Sequence, residues 1–238
     1  MAFLNRAHDF DPLLFAGNVQ GHRIAADFGD PLAAQSLWDQ ALDLAGGAID
    51  AVVNNAGRFE ANRLDRSDIE WLDAWEDTLR VNLTSAAQLS RFAVLHWQTR
   101  NFGGRLVHVA SRAAYRGDSP AHWHYAAAKS GMVGMHKTIA RAYAKDGILS
   151  FAVTPGFTDT SMADDYLASR GGPGLLADIP LGRVATPVEI AEDAVPEVAE
   201  VAPAEPAPVA AAPVASGLRA RLAVSIDDVG LSVRSLNS

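Results

Sequence analysis

A chain of 238 residues, 49% hydrophobic and 20% charged, can bury a full core, and its length suits one α/β domain better than two small ones. A net charge of −8 and a pI near 5.3 argue against general nucleic-acid binding, which calls for a basic face. Disulfides and thiolate metal sites are excluded because there is no cysteine. No apolar run approaches the ~20 residues of a membrane span, and the opening residues lack the order of a signal peptide, so a cytoplasmic location is expected.

Helical and strand patterns alternate from about residue 23 to residue 194. Arg23 to Ala26 reads as a short strand, followed by a helix from Pro31 to Leu44 that Asp30 and Pro31 open. Ile49 to Asn54 is a buried strand closed by Ala56-Gly57. Ser67-Asp68-Ile69-Glu70 has the cap-then-carboxylate start of a long helix that runs to about Arg100 and stops near Gly103-Gly104. Arg105 to Ala110 is a second buried strand, and a helix spans about Ala121 to Lys145. Ile148 to Val153 is a third buried strand, ended by Pro155-Gly156. Short apolar strands separated by helices predict a parallel sheet covered on both faces, with ligands at the carboxyl ends of its strands. Asn54, Asn55, Gly57, Ser111, Pro155 and Gly156 all fall at such ends.

Residues 196–214 differ in kind. They hold five of the twelve prolines and no aromatic residue, and read as an extended linker or inserted loop. Residues 215–238 are too few for a separate domain. They are expected to return to the same fold, with Leu222 to Ile226 as an edge strand, so that residues 1–238 form a single domain.

The chemistry concentrates in His124-Tyr125-Ala126-Ala127-Ala128-Lys129, with Ser111 fourteen residues before the tyrosine. Four residues make about one helical turn, which puts the phenol of Tyr125 and the ammonium of Lys129 on one face. A cation beside a phenol favours the phenolate and moves its pKa down from ~10. A serine hydroxyl across the pocket could fix a carbonyl oxygen against that phenol. The spacing also occurs by chance on amphipathic helices, so its neighbours decide the matter.

Those neighbours are Asn54-Asn55-Ala56-Gly57 after a strand, Asn82 in Val81-Asn82-Leu83, Ser111 at a strand end, and Pro155-Gly156. Together with Tyr125 and Lys129 they resemble the short-chain dehydrogenase/reductase family in its single-domain form, over roughly residues 22–194. Pro180-Leu181-Gly182-Arg183 and Thr186-Pro187, with Glu189-Ile190, add to the likeness, which is nearest to the 3-oxoacyl-carrier-protein reductase group. The resemblance implies a Rossmann-like, doubly wound parallel sheet and a carbonyl/alcohol oxidoreductase using NAD or NADP. It implies that Tyr125 exchanges the proton, that Lys129 lowers the phenol pKa and bonds the nicotinamide ribose, and that Ser111 polarises the carbonyl. It further implies that Asn82 holds a water leading from Lys129 to solvent. Asp27, Asn54, Ala56, Gly57, Pro155, Gly156 and Thr158, with Tyr125 and Lys129, would line the cofactor. The implied partners are a small carbonyl or alcohol substrate and further copies of the chain as a homo-dimer or homo-tetramer, with no nucleic acid, membrane or metal.

His122 and His124 flank the tyrosine and read as pocket rim or surface. Arg112 and Arg116 lie beside the same loop, where an acidic substrate or a carrier-protein phosphate would account for them, and plain solvation at least as well. Trp71, Trp75 and Trp97 read as packing or interface residues.

One expected part is missing. The family opens with a strand, a glycine-rich turn against the cofactor pyrophosphate, a helix and a second strand, and no stretch here matches them. If Arg23 to Ala26 is the family's third strand, the sheet lacks its first two. Strand order 3-2-1-4-5-6-7 would then hold a gap of roughly 14 Å at ~4.8 Å per strand. Either residues 1–22 fill it, the flanking strands close on each other, or the natural start is longer; a truncated start is the favoured expectation. The alternative function is a divergent member unable to bind dinucleotide, acting as a scaffold.

Overall fold

The structure is a computed structural model that describes residues 21–160, 176, 179–194, 223–227 and 230–234. In chain order the elements are β1 (Gly21–Ile24), α1 (Ala33–Leu44), β2 (Ala51–Asn54), α2 (Asp68–Leu79), α3 (Ser85–Arg100), β3 (Gly104–Val109), α4 (Ala113–Arg116), α5 (Trp123–Tyr143), β4 (Ile148–Val153), α6 (Pro187–Ala194), β5 (Ala223–Asp227) and β6 (Gly230–Arg234). The α/β architecture is as expected. The linker expected at 196–214 lies outside the described residues.

Six strands form one sheet in the order β1-β6-β5-β2-β3-β4. β5, β2, β3 and β4 run parallel, with Asn54 opposite His108 on one side and Ile226 on the other. β6 lies antiparallel to both β5 and β1, so β1 points the same way as the parallel strands. The gap expected between β1 and β2 is therefore filled: the two C-terminal strands occupy it. That overturns the expectation of an edge strand near Leu222 to Ile226, because β5 pairs on both sides. Inside a sheet it satisfies two rows of backbone groups where an edge position would satisfy one.

One face of the sheet carries the main core. Ala34, Leu37, Trp38 and Ala41 of α1 pack with Leu89, Ala93, Val94 and Trp97 of α3, Ile139 of α5, and Ile49, Val52, Leu106 and Ile148 from the sheet region. Val53 and Val107 are buried on the other side of the strands, with Val109, Phe151 and Val153 packed around them. The alternation is what a strand's two-residue side-chain period requires.

Helix boundaries follow local chemistry. Ser67 accepts from the Glu70 amide while Glu70 accepts from the Ser67 amide, a reciprocal cap that starts α2. Thr186 and Glu189 repeat the arrangement at α6, where Arg183 also grips Glu189 through two nitrogens at 2.9 and 2.6 Å. The expected single helix from Ser67 to Arg100 is interrupted: Arg80–Thr84 form one π-helical turn, closed by the Ser85 amide on the Arg80 carbonyl. The extra residue in that turn re-aims the chain at Asn82.

α3 ends against the sheet. Trp97 is 1% exposed and donates its indole N–H to the Ile49 carbonyl at 2.6 Å. Its ring lies where a side chain on Gly104 would begin, so the first residue of β3 has to lack one. Gly104→Ala is expected to destabilise the fold by about 1–3 kcal/mol, measured as a drop in urea midpoint, because the methyl drives into the indole.

Candidate active site

Three strand ends and one helix converge. β3 leads into Ser111 and the one-turn helix α4, β2 into the loop 54–62, β4 into 153–158, and α5 crosses beside them. Lys129, on α5, is 3% exposed, and its ammonium donates to the Val109 carbonyl at 2.8 Å. One turn earlier on α5 stands Tyr125, whose ring centroid is 5.7 Å from the Lys129 nitrogen. The Ser111 side chain lies close enough to the Tyr125 phenol to favour its ionised form. Ser111 Oγ also accepts the Ala113 amide at 3.1 Å, which fixes the hydroxyl at the start of α4. The expected trio is thus brought together.

Its electrostatics differ from expectation. Burial pushes the Tyr125 phenol up to about 12; the Ser111 side chain works against that rise, and the negative charge of Asp118 adds to it. The ammonium expected to lower the phenol is turned to the Val109 carbonyl instead. Desolvation outweighs any benefit to the phenolate, so the hydroxyl keeps its proton at neutral pH.

Gly57 closes the other side of the ammonium. A Cβ built on it would stand 3.5 Å from Lys129 Nζ and 3.8 Å from Asn82 Oδ1. Asn82 is fully buried and clamps the next residue, accepting the Arg58 amide at 2.8 Å and donating to the Arg58 carbonyl at 2.9 Å. Both ends of its amide are engaged with backbone, which gives the side chain a loop-fixing role. Ala56 is buried at 6%. Pro155 accepts the Arg112 amide at 3.0 Å, and Thr158 bridges Ala185, which holds the 155–158 segment beside the serine. Asp27 lies apart, exposed beyond β1, with its carboxylate accepting the Gly29 amide at 2.9 Å.

One aromatic residue beside the phenol, Phe59, escaped the sequence reading. Phe59 stacks on His122 with centroids 3.9 Å apart and meets Tyr125 edge-on at 4.8 Å. His122 is buried, 2.6 Å from Ser119 Oγ, and His124 is 2% exposed against Trp75. The expectation that both histidines lie on the rim or surface is therefore wrong. The 57–62 loop covers them, strapped by the Asn62 amide to the Ala121 carbonyl at 2.8 Å and by its side chain to Trp71. Phe59 could have been suspected from its place two residues past Gly57; the histidines could not, since the covering loop is remote in sequence.

Below the site, Asn54 donates to Ser90 Oγ at 3.1 Å and lies 3.2 Å from Nδ1 of the fully buried His108. Asn54 Oδ1 and His108 Nε2 find no protein partner. Burial, with His136 and Lys129 nearby, pushes His108 down to about 3. Among the described residues no group of three His, Asp or Glu could hold a metal, and no helix is long and apolar enough to cross a membrane.

Residues 6–196 match the family model described as Enoyl-(Acyl carrier protein) reductase. The chain belongs to the short-chain dehydrogenase/reductase family. It is 37% identical over 163 residues to the 3-oxoacyl-[acyl-carrier-protein] reductase FabG of Vibrio harveyi, covering 65% of this chain and 63% of that one. It is 34% identical over 178 residues to subunit BbsD of the (2S)-[(R)-hydroxy(phenyl)methyl]succinyl-CoA dehydrogenase of Thauera aromatica, over 73% and 68% of the two chains. A solved structure from Beutenbergia cavernae, assigned as an NAD(P)-dependent gluconate 5-dehydrogenase with bound NADP, superposes with a TM-score of 0.62 at 30% identity. It covers 71% of this chain and 66% of that one. This short-chain dehydrogenase/reductase thus spans about two thirds of the length of the relatives it matches.

The buried imidazole makes stability depend on pH. Its folded pKa lies below the ~6.5 of an unfolded histidine, so the unfolded chain binds a proton that the fold refuses. The contribution is fully present above about pH 6.5 and is lost at about 1.4 kcal/mol per pH unit as the pH falls toward 3. Urea titrations at pH 7 and pH 4.5 should show a smaller loss of stability in His108→Thr than in the parent.

Proposed function

We propose that the chain interconverts a carbonyl and a secondary alcohol by hydride transfer with NAD(H) or NADP(H). The observation that carries this reading is a proton-bearing phenol with a serine hydroxyl beside it at the carboxyl edge of the sheet, one helical turn from a buried ammonium. The nicotinamide-ribose end of such a cofactor fits the residues present. Lys129 Nζ, Tyr125 and Ser111 converge there, and the side-chain-free Gly57 lets backbone and ligand come close to the ammonium. At the pyrophosphate end the described residues offer no glycine-rich turn; β5 ends in Asp227, two residues before β6 begins.

The bound cofactor would supply or accept the hydride at the carbonyl carbon. Ser111 Oγ would hold the carbonyl oxygen against the phenol. As negative charge develops on that oxygen, the proton on Tyr125 Oη is already in place to neutralise it. Lys129 keeps α5 in register with β3, so Tyr125 and Ser111 stay within hydrogen-bond reach of each other. Asn82 and Gly57 hold the loop that brings Phe59 against the phenol and keeps water from it. Asn54, Ala56, Pro155, Gly156 and Thr158 would shape the wall around the nicotinamide, and Asp27 would meet the far end of the dinucleotide.

The proposal extends to the setting: a cytoplasmic enzyme acting on a small carbonyl compound of the kind 3-oxoacyl reductases take, as a homo-dimer or homo-tetramer. The scaffold alternative draws no support from the relatives above, which are named as reductases and dehydrogenases.

Three tests follow from this reading. NADH or NADPH at 100 times its dissociation constant should stabilise the fold by about 2.7 kcal/mol, read as a thermal shift; no shift with either would sink the reading. Tyr125→Phe should keep that shift and lose at least 100-fold in turnover. A phenol titrating near 12 is neutral throughout the ordinary range, so ketone reduction should be flat from pH 6 to 9. Alcohol oxidation, which needs the phenolate, should climb steadily with pH across the same interval.

A further inference from the structure

We propose that the site recognises its cofactor by the nicotinamide-ribose half alone, the sheet edge from β5 to β1 adding no affinity for the phosphates and adenosine of a dinucleotide. The inference rests on the hydride-transfer reading above and states which part of the cofactor is held. Phosphates at the carboxyl edge of a parallel sheet are bound by free backbone N–H groups, above all those of a helix that starts just after a strand. Two strands between β2 and Asp27 end at that edge, β5 and β1, while β6 runs the other way.

Neither supplies such donors. In β5, Ile226 is level with Asn54, so Asp227 lies one residue beyond it. There the chain turns back: Asp227 pairs with Gly230, and residues 228 and 229 are the whole link to β6. A link of two residues cannot hold a helix, so the strand beside β2 brings a hairpin and an aspartate to the edge in place of a helix N-terminus. β1 does lead into a helix, yet every backbone N–H from Gly29 to Ala33 is used by the turn itself. Gly29 donates to the Asp27 carboxylate at 2.9 Å, and Asp30 to the Asp27 carbonyl at 3.0 Å. Pro31 has no N–H, Leu32 donates to the Asp30 carboxylate at 2.9 Å, and Ala33 to the Asp30 carbonyl at 3.1 Å. Two exposed carboxylates of the chain thus sit where an anion would. A phosphate arriving there would have to displace one from its amide and remain beside its charge. Arg58, in the loop after β2, is engaged with Glu60 at 2.7 Å and lies 3.9 Å from Asp77. The opposite end is cationic, with Lys129 beneath the side-chain-free Gly57.

Reduced nicotinamide riboside, which carries no phosphate, is compared with NADH by calorimetry on the full chain. NADH should bind less than about tenfold more tightly than the riboside. Raising the salt from about 0.05 M to about 0.5 M should leave the riboside unchanged and hold or tighten NADH, because screening weakens repulsion between like charges. In Asp27→Ala/Asp30→Ala, which frees the Gly29 and Leu32 amides, the ratio should move toward NADH by roughly threefold or more. Both compounds are compared on the same protein, so a loss of folded fraction cancels. A preference for NADH of tenfold or more, or NADH binding that weakens with salt, overturns this inference and leaves the proposed function standing. A ratio unmoved in the double variant overturns the part given to the two carboxylates. Failure of both compounds to bind would sink the proposed function and this inference together.

Discussion

The bond from Lys129 to the Val109 carbonyl sets the geometry of everything around it. An ammonium only 3% exposed is costly unless its donors are satisfied, and the carbonyl at 2.8 Å meets one of them. That carbonyl sits two residues before Ser111, so the bond fixes how far α5 slides along β3. Tyr125, one turn back along the helix, then reaches the serine without freedom to choose another partner. The other side of the ammonium is met by Gly57, whose loop Asn82 holds through both ends of its amide. The ends of β2 and β3 and one helix are thus gathered around a single positive charge.

This arrangement changes what the lysine does. Direct electrostatic help to the phenol would need the ammonium turned toward the hydroxyl. Here it faces backbone, and the state of the phenol is set by removal from water and by the serine. A neutral, desolvated donor suits an oxygen that becomes negative during reduction, because the proton it gives is held firmly until charge appears nearby. Phe59 contributes to that desolvation through its contact with the Tyr125 ring.

Features governed by neighbours in sequence could be read directly. Ser67 with Glu70 announced a helix start, the strands ending at Asn54 and Val153 were plain from their apolar runs, and the Tyr125-to-Lys129 spacing implied one helical face. Features governed by distant partners could not. The π turn at Arg80–Thr84 adds a residue to a helix whose apolar spacing gives no sign of it. His108 looks like a polar interruption in a strand until Asn54 and Ser90 are seen beside it. The burial of His122 and His124 depends on a loop some sixty residues earlier in the chain.

The placement of β5 and β6 is the furthest such case, because β5 pairs with β2 past β3 and β4, and β6 pairs with β1 past all the strands between. It also bears on how a long ligand would lie. From β2 to β1 there are three strand spacings, roughly 14 Å at ~4.8 Å each. A dinucleotide reaching from Lys129 toward Asp27 therefore crosses the ends of two strands drawn from the far end of the chain. Within the sheet, β1 is tied to the parallel strands through β6, and β6 through β5. The adenine side of the proposed site consequently depends on the C-terminal strands, whereas the proton-transfer side depends on α5 and the ends of β2 and β3. Damage to the hairpin should reach affinity before it reaches chemistry, since Ser111, Tyr125 and Lys129 are held together by contacts in which neither C-terminal strand takes part.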